Sequence, residues 1–107
     1  ATTYMFRNVP RAYTSFDLIS ELHRHATPTD YNFVYCPWDK AGDANTGLGF
    51  VNFVRADIGQ KVCRAMHGSA WTLCHSTRMI KARPAHLQGL VPNLIRYCSN
   101  NLGAKID

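Results

Sequence analysis

The stretch N-T-G-L-G-F-V-N-F, Asn45 to Phe53, decides the fold. Its glycines, Gly47 and Gly49, raise two readings. A phosphate-cradling loop sets its glycines before a helix and follows them with a Lys-Ser or Lys-Thr pair. Here they lead into Phe50-Val51-Asn52-Phe53, which alternates with the period of a strand, and no such pair follows. The stretch is therefore read as a strand over 47–53.

The flanking segments supply its partners. "TYMFRN" (3–8) is short, apolar and aromatic, stopped by Pro10, and reads as the first strand. "YTSFDLISELHRHA" (13–26) changes period: Thr14 or Ser15 can cap a helix whose stripe is Leu18, Ile19, Leu22 and Ala26. "YNFVYCP" (31–37) alternates as a second strand, and "WDKAGDAN" (38–45) is a polar loop. "RADIGQKVCRAMHG" (55–68) is helical, with Gly68 placed to end it. "RMIKARPA" (78–85) is a fourth strand whose Pro84 suits an edge. "LVPNLIRYCSNN" (90–101) reads as a terminal helix with Leu90, Leu94, Tyr97 and Cys98 on one face. The order β-α-β-β-α-β predicts a ferredoxin-like α+β domain: an antiparallel four-stranded sheet with two helices on one face, plus the extra C-terminal helix at about 90–100.

Bulk properties narrow the function. The chain of 107 residues is enough for a single domain, 1–107, with one core. It begins with Ala rather than Met and is expected to be part of something longer. No apolar run approaches the roughly 18 residues of a membrane span, so no membrane partner is expected. The net charge is +5, and eight of the twelve basic residues are Arg, which suits phosphate forks and stacking on flat rings. Cys36, Cys63, Cys74 and Cys98 show no C-x-x-C spacing and the histidines are scattered, so neither a metal site nor a cofactor is expected. The thiols read as reduced and mostly buried, in an intracellular protein of nucleus or cytoplasm. No carboxylate pair, Ser/His/Asp set or Cys/His pair stands out, and no catalytic activity is expected.

"TGLGFVNF" (46–53) matches six of eight positions of the octamer on the third strand of RNA recognition motifs, with Thr46 in place of a basic residue and Leu48 in place of an aromatic. Period two then assigns faces. Gly49, Val51, Phe53, Tyr4 and Phe6 face the helices, while Leu48, Phe50, Asn52, Met5 and Arg7 face outward. On the second strand two registers are open. Either Val34 and Cys36 point inward and Phe33 and Tyr35 join Phe50 outside, which is the preferred reading, or the reverse holds. On the fourth strand Ile80 and Ala82 suit the core, leaving Lys81 and Arg83 for phosphates or for a solvated edge. Trp71 is expected in the core near the end of the second helix. Trp38 is open to either stacking a base or capping the sheet edge.

Five pieces in register give a family resemblance. "FRNVPRAYT" (6–14) carries Arg-Asn-x-Pro-x-x-Tyr-Thr, "YNFVYCPWD" (31–39) carries Tyr-x-Phe-x-Tyr-x-Pro-x-Asp, and "NTGLGFVN" (45–52) carries Asn-x-Gly-x-x-Phe-x-Asn. "GSAWTLCHSTR" (68–78) contributes Gly68, Trp71 and Ser76, and "AHLQG" (85–89) ends the pattern. From about Thr3 to Asn101 the chain resembles the Mei-two-like RNA recognition motif, a family named for a regulator of meiosis. Met5 is ordinary for that family, whereas Leu48 departs from its usual aromatic. The resemblance implies single-stranded RNA binding without catalysis, often as the C-terminal domain of a longer post-transcriptional regulator. Other domains of that protein, or protein partners, are further expected contacts.

The expected RNA site is the outer sheet face. Bases would stack on Phe50 with Phe33 and Tyr35 nearby, over Met5, Leu48 and Asn52. Arg7, Lys81 and Arg83 would meet phosphates or base edges, and Arg11 and Lys40 would border the site from loops. The terminal helix has two possible places. It lies across the sheet, with Leu94, Tyr97 and Cys98 over Met5, Leu48 and Phe50, or it packs beside the other helices. The first arrangement supports a rival reading, a protein-interaction module on the same fold.

Overall fold

The computed structural model describes residues 1–98. Its elements are β1 (Thr3–Arg7), α1 (Ser15–Leu22), β2 (Tyr31–Tyr35), β3 (Trp38–Asp39), β4 (Ala44–Asn45), β5 (Leu48–Phe53), α2 (Ala56–Met66), β6 (Lys81–Pro84) and α3 (Leu90–Tyr97). The antiparallel sheet has the order β2-β5-β1-β6, so the quoted stretch and β1 form its centre and the Pro84 strand is an edge. This is the split βαβ arrangement the element order predicted. The expected end of the last helix at Asn101 lies outside the described residues.

Local chemistry sets the boundaries. Thr14 caps α1 through a reciprocal box: its Oγ1 accepts from the Asp17 N–H, and Asp17 Oδ2 accepts from the Thr14 N–H at 2.8 Å. The helix stops at Leu22 rather than continuing to Ala26: the next turn tightens, with the Arg24 and His25 N–H groups bonding three residues back to the Glu21 and Leu22 carbonyls. The polar loop 38–45 contains a small hairpin, β3 with β4, that the composition did not reveal. The fourth strand begins at Lys81 rather than Arg78. Ahead of it, Ile80 is buried and bonds to the backbone of Gly68 and Ser69 instead.

The core lies between the sheet and α1 and α2. Tyr4, Phe6, Val51 and Phe53 from the central strands meet Leu18, Leu22, Val62, Cys63 and Met66 from the helices. Gly49 is required there: a Cβ on it would stand 2.6 Å from Leu18 Cδ2. Gly47 serves a different need, since its φ of +86° turns the chain into β5. Trp71 is buried in the same core, edge-on to Tyr13 with ring centroids 5.5 Å apart. Cys36 and Cys63 are buried, whereas Cys74 is exposed and Cys98 half-buried, so the expectation of mostly buried thiols holds for two of the four. No helix among the described residues is long and apolar enough to cross a membrane.

Candidate nucleic-acid interface

Register on the outer face sorts the candidate residues into transverse rows, because directly paired residues share a face. The middle row runs Tyr35, Phe50, Met5, Arg83. The row above it, toward the end of β1, runs Leu48, Arg7, Lys81. The row below runs Phe33, Asn52, Thr3. Phe33 and Tyr35 therefore stand outside with Phe50, and Val34 packs toward the core against its partner Val51.

α3 lies across this face on the β2 side and does not pack beside α1 and α2. Its Tyr97 ring stacks on Phe50 with centroids 5.0 Å apart and planes 28° apart, and reaches Tyr35 at 5.2 Å and Phe33 at 6.3 Å. Leu94, expected to share that covering role, is 39% exposed. The helix docks instead through Tyr97 and Asn93, one turn apart on the same face.

A polar knot fixes the start of α3 over the lower row. Thr3 Oγ1 donates to Asn52 Oδ1 at 2.6 Å and accepts from the Gly89 N–H at 2.8 Å. Gln88 Oε1 accepts from the Thr2 and Thr3 N–H groups, and its Nε2 donates to the Thr3 and Ala85 carbonyls. Asn52 Nδ2 donates to Asn32 Oδ1 at 2.8 Å. Asn52 is thus corrected from a ligand-facing to a structural residue: it lies on the outer side, but it is buried and its bonds are made within the fold. Asn93 is fully buried, donating to Gly89 and Leu87 carbonyls, while its Oδ1 has no partner among the described residues.

The upper end of the face opens into a groove of about 660 Å³. Two buried polar side chains that do not line it brace the segments that do. Glu21 accepts from Tyr13 Oη at 2.7 Å, from the Thr72 N–H at 2.8 Å and from Thr72 Oγ1 at 2.6 Å, tying the segment after Trp71 to α1. Burial and this Glu21 bond push the Tyr13 hydroxyl well above its ordinary range. Asn45 donates to the Pro10 and Tyr13 carbonyls and accepts from the Gly47 N–H at 2.7 Å. Arg11 Nε donates to the Asn45 carbonyl at 2.8 Å, which places Arg11 on the groove wall. Lys40 is exposed in the turn between β3 and β4 and is not among the groove residues. Trp38, in β3, is 40% exposed.

Met5, Leu48 and Phe50 are half-buried, and Arg7, Lys81 and Arg83 are exposed. The structure thus brings together eight of the eleven expected residues, adds Arg11 at the groove, leaves Lys40 peripheral and withdraws Asn52. Sequence reasoning missed Glu21, Asn93 and the groove segment 74–78. Glu21 carried a usable signal, an acid three residues after Leu18 on the buried face of α1. Among the described residues no cluster of His, Cys, Asp and Glu could hold a metal ion.

A split βαβ sheet with aromatic rings on the side away from α1 and α2 is the architecture of an RNA recognition motif. The family model for RNA recognition motif 2 matches residues 1–99, and the chain belongs to that family. It is a binding family rather than an enzyme family. Protein MEI2-like 1 of Arabidopsis thaliana is 29% identical over 101 residues, covering 94% of this chain and 11% of that protein. Protein MEI2-like 5 of the same plant is 31% identical over 101 residues, covering 94% and 12%. The chain thus spans only a small part of the length of these relatives. Among solved structures, the Rna15 RRM with bound RNA (GU) has a TM-score of 0.68 at 10% identity, covering 100% of this chain and 99% of that one. The Sex-lethal RNA recognition domains 1 and 2 of Drosophila melanogaster give 0.65 at 16%, covering 80% and 50%. At these identities the likeness is one of fold.

Proposed function

We propose that this domain binds single-stranded RNA on the outer sheet face, as the RNA-binding module of a longer post-transcriptional regulator working in the nucleus or cytoplasm. The observation that carries this reading is the aromatic cluster. Phe33, Tyr35 and Phe50 lie outside the core cluster, and a flat ring, Tyr97, already stacks on Phe50. A splayed base presents the same kind of flat face. Base stacking on Phe50 takes the place of Tyr97, so α3 is the cover that RNA displaces. Met5 and Leu48 supply apolar contact beside the stack.

The cations support the same partner. Arg7 and Lys81 stand directly opposite each other on β1 and β6. Like charges in that position repel, and a phosphate between them relieves the repulsion. Arg83 continues the strip one row down, beside Met5. The neighbouring fold with bound RNA, the Rna15 RRM, shows that this architecture serves such a ligand in another protein.

The test is a titration of labelled short single-stranded RNA pools at several salt concentrations. Affinity falls steadily as salt rises, and Phe50→Ala weakens it by about 1–3 kcal/mol with the domain still folded. If no pool binds even at low salt, the reading fails.

A second reading rests on the far side of α3, where Val91 is 62% exposed and Leu94 39%. In it α3 stays closed and the domain docks a protein partner. An amide-shift map with the RNA pool separates the two: sheet residues respond in the first, and none do in the second.

A further inference from the structure

We propose that the groove at the upper end of the sheet is a second RNA subsite, which receives the phosphate-sugar backbone of the nucleotides leaving the sheet beyond Leu48 and Arg7. The inference rests on the RNA-binding reading above and extends it to a segment that reading does not use. The groove presents Arg7, Arg11, Arg78 and His75 together with the hydroxyl-bearing Ser76 and Thr77. No Asp or Glu lines it among the described residues. Arg7 and Arg78 make no ion pair among the described residues, whereas Arg11 has a carboxylate nearby, since Asp39 Oδ2 and Arg11 Nη2 both lie against Gly42. Two guanidinium groups free of carboxylates with a third beside them make a site for a polyanion, and hydroxyls beside them suit phosphate and ribose oxygens.

The walls are held rather than loose. Glu21 and Tyr13 fix Thr72 and Leu73 at one root of the groove segment: the Leu73 N–H donates to Tyr13 Oη at 3.2 Å. Asn8, at φ 63°, donates from Nδ2 to the Met79 carbonyl at 2.9 Å and fixes the other root. Ser76 Oγ and the Arg78 N–H close a turn between them at 3.2 Å. The groove is also continuous with the sheet, because Arg7 and Leu48 belong both to its lining and to the upper outer row. A strand crossing the free half of the face, away from α3, runs into it.

Cys74 gives a direct test, since it lies on the groove wall and is exposed. Cys36 and Cys63 are buried, and burial pushes their thiols up, to about 11 and about 12, so they do not compete for an alkylating reagent at neutral pH. Half-buried Cys98, at the end of α3, gives a second readout, because displacement of Tyr97 from the sheet leaves it no less accessible. The 107-residue chain is treated with iodoacetamide, with and without a saturating pool of single-stranded RNA 8-mers, and each cysteine is read by mass spectrometry. Saturation is established first by fluorescence anisotropy. Cys74 alkylation slows severalfold with RNA bound, and Cys98 alkylation does not slow. Arg78→Ala weakens binding of the 8-mers about tenfold, as loss of one charge-assisted phosphate contact does, and leaves a 3-mer pool unaffected. Unchanged Cys74 alkylation on RNA-saturated protein overturns the subsite while leaving RNA binding by the sheet in place. Equal protection by inorganic phosphate alone also overturns it, making the groove a small-anion site. Absence of any 8-mer binding removes the subsite and the RNA reading together.

Discussion

Replacing Tyr97 with alanine should tighten RNA binding, although it removes an aromatic ring from the sheet face. The ring meets Phe50, Tyr35 and Phe33 at 5.0, 5.2 and 6.3 Å. Aromatic pairs contribute about 0.5–1.5 kcal/mol each beyond area burial. Three such pairs set an upper limit, reduced here because Tyr97 is only half-buried. Net docking of α3 through this ring is therefore about 1–2 kcal/mol. A ligand that needs the ring withdrawn binds more weakly by that factor, about 5- to 30-fold. Tyr97→Ala should raise affinity for short single-stranded RNA by that amount in fluorescence anisotropy at fixed salt. Tyr97→Phe, which keeps the ring, should bind like the parent. Equal or weaker binding by a folded Tyr97→Ala protein would refute the competition and make Tyr97 part of the RNA platform itself.

Other consequences follow from the core and its polar anchors. Gly49→Ala should lower stability by about 1–3 kcal/mol, because the new methyl meets the fully buried Leu18; an unchanged midpoint in chemical denaturation contradicts the assigned face of β5. Glu21→Ala should cost about 2–4 kcal/mol, since it strands the buried Tyr13 hydroxyl and the Thr72 N–H; a loss under about 0.5 kcal/mol in the same assay would show that Glu21 is dispensable to the groove wall. Alkaline stability should also fall. Cys36 and Cys63 are raised from 9.0 to about 11 and about 12 by burial. Unfolded thiols ionise first, so their contribution is full below pH 9.0 and declines as pH rises toward those folded values. Each thiol steepens the decline by about 1.4 kcal/mol per pH unit. The Cys36→Ala, Cys63→Ala double variant should flatten the pH 9–11 slope of denaturation midpoints, and an unaltered slope would assign the decline elsewhere.

The fold was legible because its signals are local and repeated. Alternation in 47–53 marks a strand, and helical periodicity marks α1 and α2 on either side of it. The small hairpin of β3 and β4 was not legible, because two-residue strands carry no period and this one is held by Asn45 bonding back to Pro10 and Tyr13. The site was legible only in part, for a related reason. Much of the residue pattern that marks the family proves to hold the scaffold. Thr14 caps α1, Tyr13 binds Glu21, Gln88 and Gly89 clamp Thr3, and Asn52 joins that knot. Such residues look functional in a sequence because they are polar and regularly placed, yet their bonds are spent inside the fold.

Leu48 shows what that division means for recognition. Its place in the third-strand octamer belongs to an aromatic, and its side chain sits in the upper row beside Arg7 and Lys81, at the mouth of the groove. A flat ring there would favour a stacked base at the top of the sheet. Leu48 leaves that row with two cations and a small apolar side chain, which suits a backbone passing over rather than a base lying down. The proposed base stacking would then be concentrated in the middle row at Phe50 and Tyr35, where Tyr97 rests. On the proposed RNA-binding reading, the substitution would shift the balance of the face from bases at two levels to bases at one level and phosphates at the other. Leu48→Phe is accordingly expected to strengthen binding by about 1–3 kcal/mol for RNAs long enough to span both rows, and to leave a dinucleotide seated on Phe50 unaffected. A gain for the dinucleotide in the same anisotropy assay would place the upper row under the first stacked base and undo this division of the face.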